Sequence, residues 1–434
     1  MSTVVHLTPH LGGGVGKAVS GLIATAATGG SQFRHSVICL EKPEKSQFVE
    51  RLDAAGCDVV IKPDDRDLLR RLEEADIVQV EFWNHPTLPA ILCRPDLPAM
   101  RMIAWCHVSG LHHPRFPPNL IEAFDQIVFT SACSFEGAEV RAWCEAGHSN
   151  KLRVISSGGG VENLPLPLPT AGEATLRAGY LGSFNYSKLH PEFVSFLAAV
   201  PDPEFCVRMI GDETNRSDLE RQCRALGREH LLDFRGYRSD VVSELAQLDV
   251  LIYLLNPTHY GTAENALLEA MAMGVIPVVL NNAAERCIVE NKVTGLVLGS
   301  PAELPDALLW LQENFREKME IASSASFYAR ENFSWMRMSD SFEILYNDEM
   351  IAPKSRFSFY STFGDDPADW YISFVGNREI FSDDGSSRDL VGLGRYAFLE
   401  RSKGSAHHFL SYFPEDKRLA LWAAGVSNLV GDEI

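Results

Sequence analysis

The stretch that most constrains this chain is 259–274, HYGTAENALLEAMAMG, because two strongly apolar runs, 250–255 and 275–280, bracket it. Apolar run, short loop, helical pattern and second apolar run spell strand, loop, helix, strand, an order that implies a parallel sheet. Gly261 and Thr262 form the loop, and the Thr262 hydroxyl is placed to cap the helix. Gly274 stands where a left-handed residue ends it. Inside the helix, Glu269 lies among Leu267, Leu268, Ala270 and Met271. A carboxylate there is costly unless its charge or hydrogen-bonding capacity is answered. Its neighbours one turn away, Asn265, Ala266, Ala272 and Met273, are mostly small, so a ligand has room to approach. Glu269 is read as an acceptor of hydrogen bonds from hydroxyl groups such as those of a ribose; the alternative is a solvated or ion-paired surface glutamate.

The same rhythm runs through most of the chain. Residues 4–7 form a short apolar strand, and PHLGGGVGKAVSGLIATAA then passes from a glycine loop into a small-residue helix. Strands are expected near 36–40, 58–61, 77–81, 102–106, 127–129 and 152–155, with helical patterns between them, for example 47–55 and 134–146. Such alternation gives a parallel sheet covered on both faces. Residues 162–173, ENLPLPLPTAGE, interrupt it with three prolines and read as a linker. Strand patterns resume at 178–181, 205–210, 232–234 and 250–255, and a helix-rich region spans about 301–348. A chain of 434 residues is too long for one ordinary core. The division expected is a Rossmann-like domain over 1–165, a second over 174–335, and a returning helix with an accessory extension over 336–434. That extension holds an aromatic-rich stretch, RFSFYSTFGDDPADWYISFVG, and an amphipathic helix with Leu419, Leu421, Trp422 and Val426.

Composition narrows the function. A formal net charge of -19 disfavours adhesion to nucleic acid or to an anionic membrane surface. Nine cysteines at irregular spacings, none in a C-x-x-C pair, read as reduced thiols of a cytoplasmic protein. No run of 18 apolar residues exists, so neither a signal peptide nor an integral membrane segment is expected, which leaves peripheral membrane contact open. Asp65-Arg66-Asp67 opens a helical pattern and is better explained by capping and first-turn charge than by metal binding. Asp365-Asp366 and Asp383-Asp384 read as solvated turns and His407-His408 as helix surface, so no metal is expected. GGGVGKAV is not a phosphate loop of the Walker type, since Leu11 and Ala18 stand where that motif needs glycine and a hydroxyl. Lys17 reads as a solvated first-turn lysine, and His10 as loop packing or an acceptor-side contact.

Four blocks carry a family resemblance: HLTPHLGGGVGKAV, YLGSFNYSKLHPE, MIGDE followed by DFRGYRSDV, and ENALLEAMAMGVIPVVLNN followed by NKVTGLV. With these the chain resembles the GT-B retaining glycosyltransferases of group 1, family 4-like, most specifically over about 178–300. The resemblance implies an α/β fold of two Rossmann-like doubly wound domains facing across a cleft, with a C-terminal accessory segment. It implies a nucleotide-diphosphate sugar as donor and co-substrate, a hydroxyl-bearing acceptor, no further cofactor, and a hexosyltransferase-like role in polysaccharide, glycolipid or glycoside biosynthesis. Residue by residue, Glu269 matches the glutamate that holds the donor ribose, Lys188 the phosphate-binding lysine, and His107 the histidine beside the donor sugar. Gly12, Gly13 and Gly14 match a loop whose bare N–H groups approach phosphate or acceptor. The implied donor-binding set adds Gly182, Ser183, Gly211 and Gly236, with Thr262, Ala263, Glu264 and Asn265 at the helix start. Two positions depart from the pattern. Ser183 replaces the family's arginine, and Gly261 its first glutamate. Glu264 is no simple substitute, because five residues along a helix rotate it about 140° from Glu269. Alternatives are a nucleotide-sugar epimerase or hydrolase, or a non-catalytic module that binds nucleotide sugars.

Overall fold

The runs read as strands pair as strands in the computed structural model, which describes residues 1–43, 46–166, 176–376, 381, 401 and 403–431. Most of the expected linker (167–173) and the pair Asp383-Asp384 lie outside the described residues. Two compact units result: Met1–Gly159 with Tyr260–Ala263 and Trp335–Ile434, and Gly160–His259 with Glu264–Ser334.

The first unit holds strands β1 (Ser2–Thr8), β2 (Phe33–Cys39), β3 (Asp58–Ile61), β4 (Ile77–Phe82), β5 (Met102–Cys106), β6 (Gln126–Phe129) and β7 (Leu152–Val154). They form one all-parallel sheet in the order β3-β2-β1-β4-β5-β6-β7. Side chains alternate across a strand, so each strand feeds two cores. Val5, Leu7, Val78, Val80 and Phe82 enter one core with Ala104, Cys106 and Phe129. Val4, Val37, Ile77, Ile103 and Trp105 enter the other, against the helices Gly13–Gly29 and Trp335–Glu349. Gly21 allows that close helix packing, since a Cβ there would stand 2.4 Å from the Trp335 ring.

The aromatic-rich tail is part of this unit. Ser355 exchanges backbone hydrogen bonds with Met100, and Phe359, Phe363 and Phe374 complete the core containing Phe82, Phe116 and Phe124. A satellite core gathers Tyr371, Phe409, Leu419, Trp422 and Val426. Leu421, expected on the apolar face of that last helix, is instead exposed; it lies two residues from Leu419, about 200° around a helix. The helix expected over 134–146 is also broken. Gly137 is extended, separating a 3₁₀ turn, Ala132–Glu136, from the helix Ala138–Glu145.

The second unit holds β8 (Ala178–Leu181), β9 (Val207–Ile210), β10 (Leu232–Gly236), β11 (Val250–Tyr253), β12 (Ile276–Leu280) and β13 (Leu296–Leu298). Its all-parallel sheet runs β10-β9-β8-β11-β12-β13. Both strand orders reverse direction beside the first strand of the unit, where such sheets bind ligands at the carboxyl ends of strands.

Candidate functional site

In the second unit three loops at strand ends meet. Gly182 follows β8, Gly211 follows β9 and Gly236 ends β10; Gly182 N–H donates to the Ile210 carbonyl at 2.9 Å and Gly211 N–H to the Gly236 carbonyl at 3.1 Å. A Cβ on Gly211 would lie 1.7 Å from the Gly182 carbonyl oxygen, so the two loops touch only because that side chain is absent. Ser183 turns the chain: its carbonyl accepts from the Tyr180 hydroxyl at 2.8 Å and its Oγ from Asn185 N–H at 3.3 Å. The loop then locks onto the end of β11, where Asn256 N–H donates to the Lys188 carbonyl at 2.7 Å and Asn256 Nδ2 to the Tyr186 carbonyl at 2.8 Å.

Lys188 is thereby brought to Glu264. Its Nζ stands 3.0 Å from Glu264 Oε2, and the Tyr253 hydroxyl donates to the same oxygen at 2.5 Å. Glu264 is buried with φ +36°, in the left-handed region that non-glycine residues seldom adopt. Burial pushes its carboxyl up, but Lys188, the nearby His259 and the hydrogen bonds from Tyr253 and Lys188 outweigh this and hold it below the usual range. Burial beside that carboxylate raises the Tyr253 phenol well above its usual value. Next to this pair, His259 Nε2 lies 3.1 Å from Glu285 Oε2. Burial alone would depress His259; the Glu285 carboxylate more than compensates and raises it.

The helix after this loop is Asn265–Ala272, and Glu264 precedes it as the capping residue. Three expectations change here. Thr262 does not cap the helix; its Oγ1 lies 2.6 Å from Thr130 Oγ1, because residues Tyr260–Ala263, Ala263 included, pack with the first unit. Nor does the helical rotation separate Glu264 from the site, because Glu264 is not on the helix. Its left-handed backbone turns the carboxylate onto Lys188. Glu269 is only half-buried rather than sunk in an apolar shell. Gly274 does end the helix, at φ +73°, with Val275 N–H donating to the Ala270 carbonyl at 2.9 Å.

The first unit holds His107 and the glycine loop. Gly12 caps the helix Gly13–Gly29 with extended backbone and no side-chain hydrogen bond, and Gly13 and Gly14 are exposed at its first turn. His107 follows β5, and its Nε2 lies 2.8 Å from Glu81 Oε2. Glu81 was not among the sequence-predicted residues, nor were its other partners, His6 and Gln79. His6 Nδ1 lies 2.9 Å from Glu81 Oε1, Gln79 Nε2 donates to the same oxygen at 2.9 Å, and the Tyr346 hydroxyl donates to Gln79 Oε1 at 2.6 Å. His6 Nε2 in turn lies 2.9 Å from His35 Nδ1. Burial pushes Glu81 up, but hydrogen bonds from His107 and His6 overcome that and keep it ionised below the usual range. Burial next to His6 drops His35 to about 3. The signal for this group was present in the sequence. Polar residues occupy inward positions of strands that are otherwise apolar, in VVHLT, FRHSVIC and IVQVEF.

The tail adds a further cluster. Lys403 Nζ lies 3.2 Å from His10 Nε2, and His10 packs edge-on against Trp83 and His85. His408, expected on a helix surface, instead packs against His85 and Tyr412 and accepts from Gly404 N–H at 2.9 Å. Its helix is held down by Gly404, whose carbonyl accepts from Asn84 Nδ2 at 3.0 Å. Asp366, expected in a solvated turn, caps the helix Pro367–Ser373 and pairs with Arg418. Asp64, rather than Asp65, caps the helix Asp65–Glu74; Asp65 and Asp67 supply its first-turn charge.

No curated protein sequence matches the chain. Among solved structures it is similar to a glycosyltransferase from Rickettsia africae ESF-5, with TM-score 0.61 and 13% identity over 81% of this chain and 99% of that one. It is similar to Anabaena Alr3699/HepE in complex with UDP-glucose, with TM-score 0.62 and 17% identity over 80% of this chain and 100% of that one. Sucrose-phosphate synthase (tll1590) from Thermosynechococcus elongatus aligns with TM-score 0.56 and 12% identity over 81% of this chain and 100% of that one. These likenesses, with the two parallel sheets, give the chain the GT-B fold of two Rossmann-like domains, and within it residues 176–314 match the family model Glycosyl transferases group 1.

Proposed function

We propose that the protein moves a sugar, of the hexosyl type and with retention, from a nucleotide-diphosphate sugar to a hydroxyl-bearing acceptor. The observation that carries this reading is Lys188, held at 3.0 Å from buried Glu264 at the start of the helix Asn265–Ala272, inside the segment that matches the group 1 model. Breaking an anomeric C–O bond to a diphosphate builds negative charge on the leaving oxygens. An ammonium and the N–H groups of a helix start are suited to stabilise that charge. Gly182, Gly211 and Gly236 give loops whose backbone a ligand can approach closely. Glu269 is the proposed ribose contact and His107 the residue beside the donor sugar. The UDP-glucose complex of the Anabaena protein supports a nucleotide sugar as the donor class. No further cofactor is required, and the setting proposed is cytoplasmic assembly of a polysaccharide, glycolipid or glycoside.

One observation favours a second reading, a module that binds nucleotide sugars without turning them over. Ser183 supplies no cation, and Glu264 neutralises Lys188. A thermal-shift panel of UDP-, GDP-, ADP- and dTDP-sugars separates the cases, since a ligand at about 100 times its Kd stabilises by roughly 2.7 kcal/mol. A raised melting temperature followed by transfer to an added acceptor supports the transferase. Binding without turnover across acceptors supports the module, and free nucleotide released with no acceptor supports an epimerase or hydrolase. Glu269→Ala is expected to weaken nucleotide binding by about 1–3 kcal/mol, the scale of a lost charged hydrogen bond. Full activity in both Glu269→Ala and Lys188→Ala overturns the site.

A further inference from the structure

Five polar side chains share one face of the first sheet. Alternation places His6 of β1, His35 of β2 and Gln79 and Glu81 of β4 on the face that also carries Val4, Val37, Ile77 and Trp105. His107 continues that parity just past the end of β5. His6, Gln79 and Glu81 are fully buried, yet each has a partner. A carboxylate at that depth costs far more than the valine or leucine that a parallel strand would otherwise place there. Three groups donate to it: His6, Gln79 and His107.

The chemistry of the acceptor fixes the state of His107. An ionised carboxylate has no proton to give, so Nε2 of His107 carries the hydrogen of the 2.8 Å contact with Glu81. A neutral imidazole then has its lone pair on Nδ1. That nitrogen makes no hydrogen bond among the described residues and is not among the sealed, unpartnered polar atoms. The ring itself is steadied by Trp105, at 4.7 Å between centroids. Behind Glu81 the order continues, with the Tyr346 hydroxyl fixing the Gln79 amide so that its NH₂ faces the carboxylate.

We propose that Glu81 is a positioning residue that holds His107 as the Nε2–H tautomer, so that Nδ1 accepts a hydrogen bond from a substrate hydroxyl at the carboxyl end of β5. Gln79, Tyr346 and His6 keep Glu81 in place, and His35 completes the buried chain. The device rests on the proposed transfer reaction for its purpose, though not for its geometry. The hydroxyl has two sources, the acceptor nucleophile or the donor sugar, and both present the same O–H donor.

The test has two parts, both on the full chain. In ¹⁵N-histidine-labelled protein without ligand, with His107 assigned by loss of its signals in His107→Gln, imidazole ¹⁵N shifts are expected to show Nε2 protonated and Nδ1 bare. A protonated Nδ1 on a neutral ring overturns the proposal, and this readout needs only that His107→Gln folds, not any activity. In the second part, UDP release from UDP-glucose with an acceptor is followed for wild type and Glu81→Gln, whose amide can accept or donate and so no longer imposes a tautomer. A loss of about 10- to 100-fold is expected, the scale for removing the partner that orients a functional histidine. A fall in kcat at constant KM for UDP-glucose assigns the hydroxyl to the acceptor. A rise in KM that 2-, 3-, 4- or 6-deoxyglucose donors reproduce in wild type assigns it to the donor sugar. Unchanged kcat and KM in folded Glu81→Gln overturn the proposal while leaving the transferase reading intact. Failure of wild type to bind or turn over any nucleotide sugar overturns that reading, with the tautomer measurement still decided on its own.

Discussion

At the scale of single residues, Glu264 is the most informative position. A buried carboxylate with φ +36° combines two costs, left-handed backbone and charge burial, and the fold keeps both. Unfavourable backbone of this kind persists where surrounding contacts over-determine it, and it concentrates at functional sites. Here those contacts are the Lys188 ammonium and the Tyr253 hydroxyl. The two costs can be separated by mutation. Glu264→Gly and Glu264→Gln both remove the charge, but only glycine relieves the left-handed backbone, a relief of roughly 1–2 kcal/mol less the entropy of an added glycine. Glu264→Gly is therefore expected to be more stable than Glu264→Gln by about 1 kcal/mol, read from urea midpoints. The reverse order would mean that the side chain, not the backbone, governs this site. Both variants are expected to lose donor-dependent turnover.

At the scale of elements, the first unit holds histidines that stay neutral on a strand (His35), in loops (His85, His113) and on a tail helix (His408), and this makes its stability depend on pH. Burial beside His6 lowers His35 to about 3. Burial, with His408 and His10 nearby, lowers His85 to about 2. Burial lowers His113 to about 4, and burial together with Lys403 does the same for His408. A folded pKa below the unfolded value of about 6.5 means that the unfolded chain gains protons the native state refuses. Stability is then lost as pH falls below about 6.5, down to those depressed values. His259 in the second unit has the opposite sign. Its raised pKa gives stability that is present below about 6.5 and lost as pH rises through the raised value. Four histidines outweigh one, so the urea midpoint is expected to fall between pH 7.5 and 5.5, by about 1 kcal/mol per buried neutral histidine. An unchanged midpoint would show that these rings are protonated in the native state.

At the scale of the whole molecule, the tail is structural before it is anything else. Phe359, Phe363 and Phe374 share a core with Phe82 and Phe116, and Lys403 and His408 reach His10 and His85. Deleting residues 351–434 is expected to leave a chain that aggregates or melts non-cooperatively, because three buried aromatic side chains are lost at about 3–5 kcal/mol each. A truncated chain with an intact cooperative melt would show that the tail is a separate appendage. Much of the architecture was legible in the sequence, because strand and helix periodicities are local and each mostly apolar run at 4–7, 77–81 or 250–255 must be buried on both faces. The glycine loops and the helix ended by Gly274 followed from local backbone chemistry in the same way. The electrostatic pairs did not. Lys188 meets Glu264, and Glu81 meets His6 and His107, only because strand order sets non-neighbouring loops side by side and one residue turns left-handed before a helix. By itself, then, the sequence determined the elements, the parallel sheets and the residue types available for chemistry. The tertiary structure alone decided which charges share a site, since a charge's partner depends on distances across a sheet that no local pattern encodes.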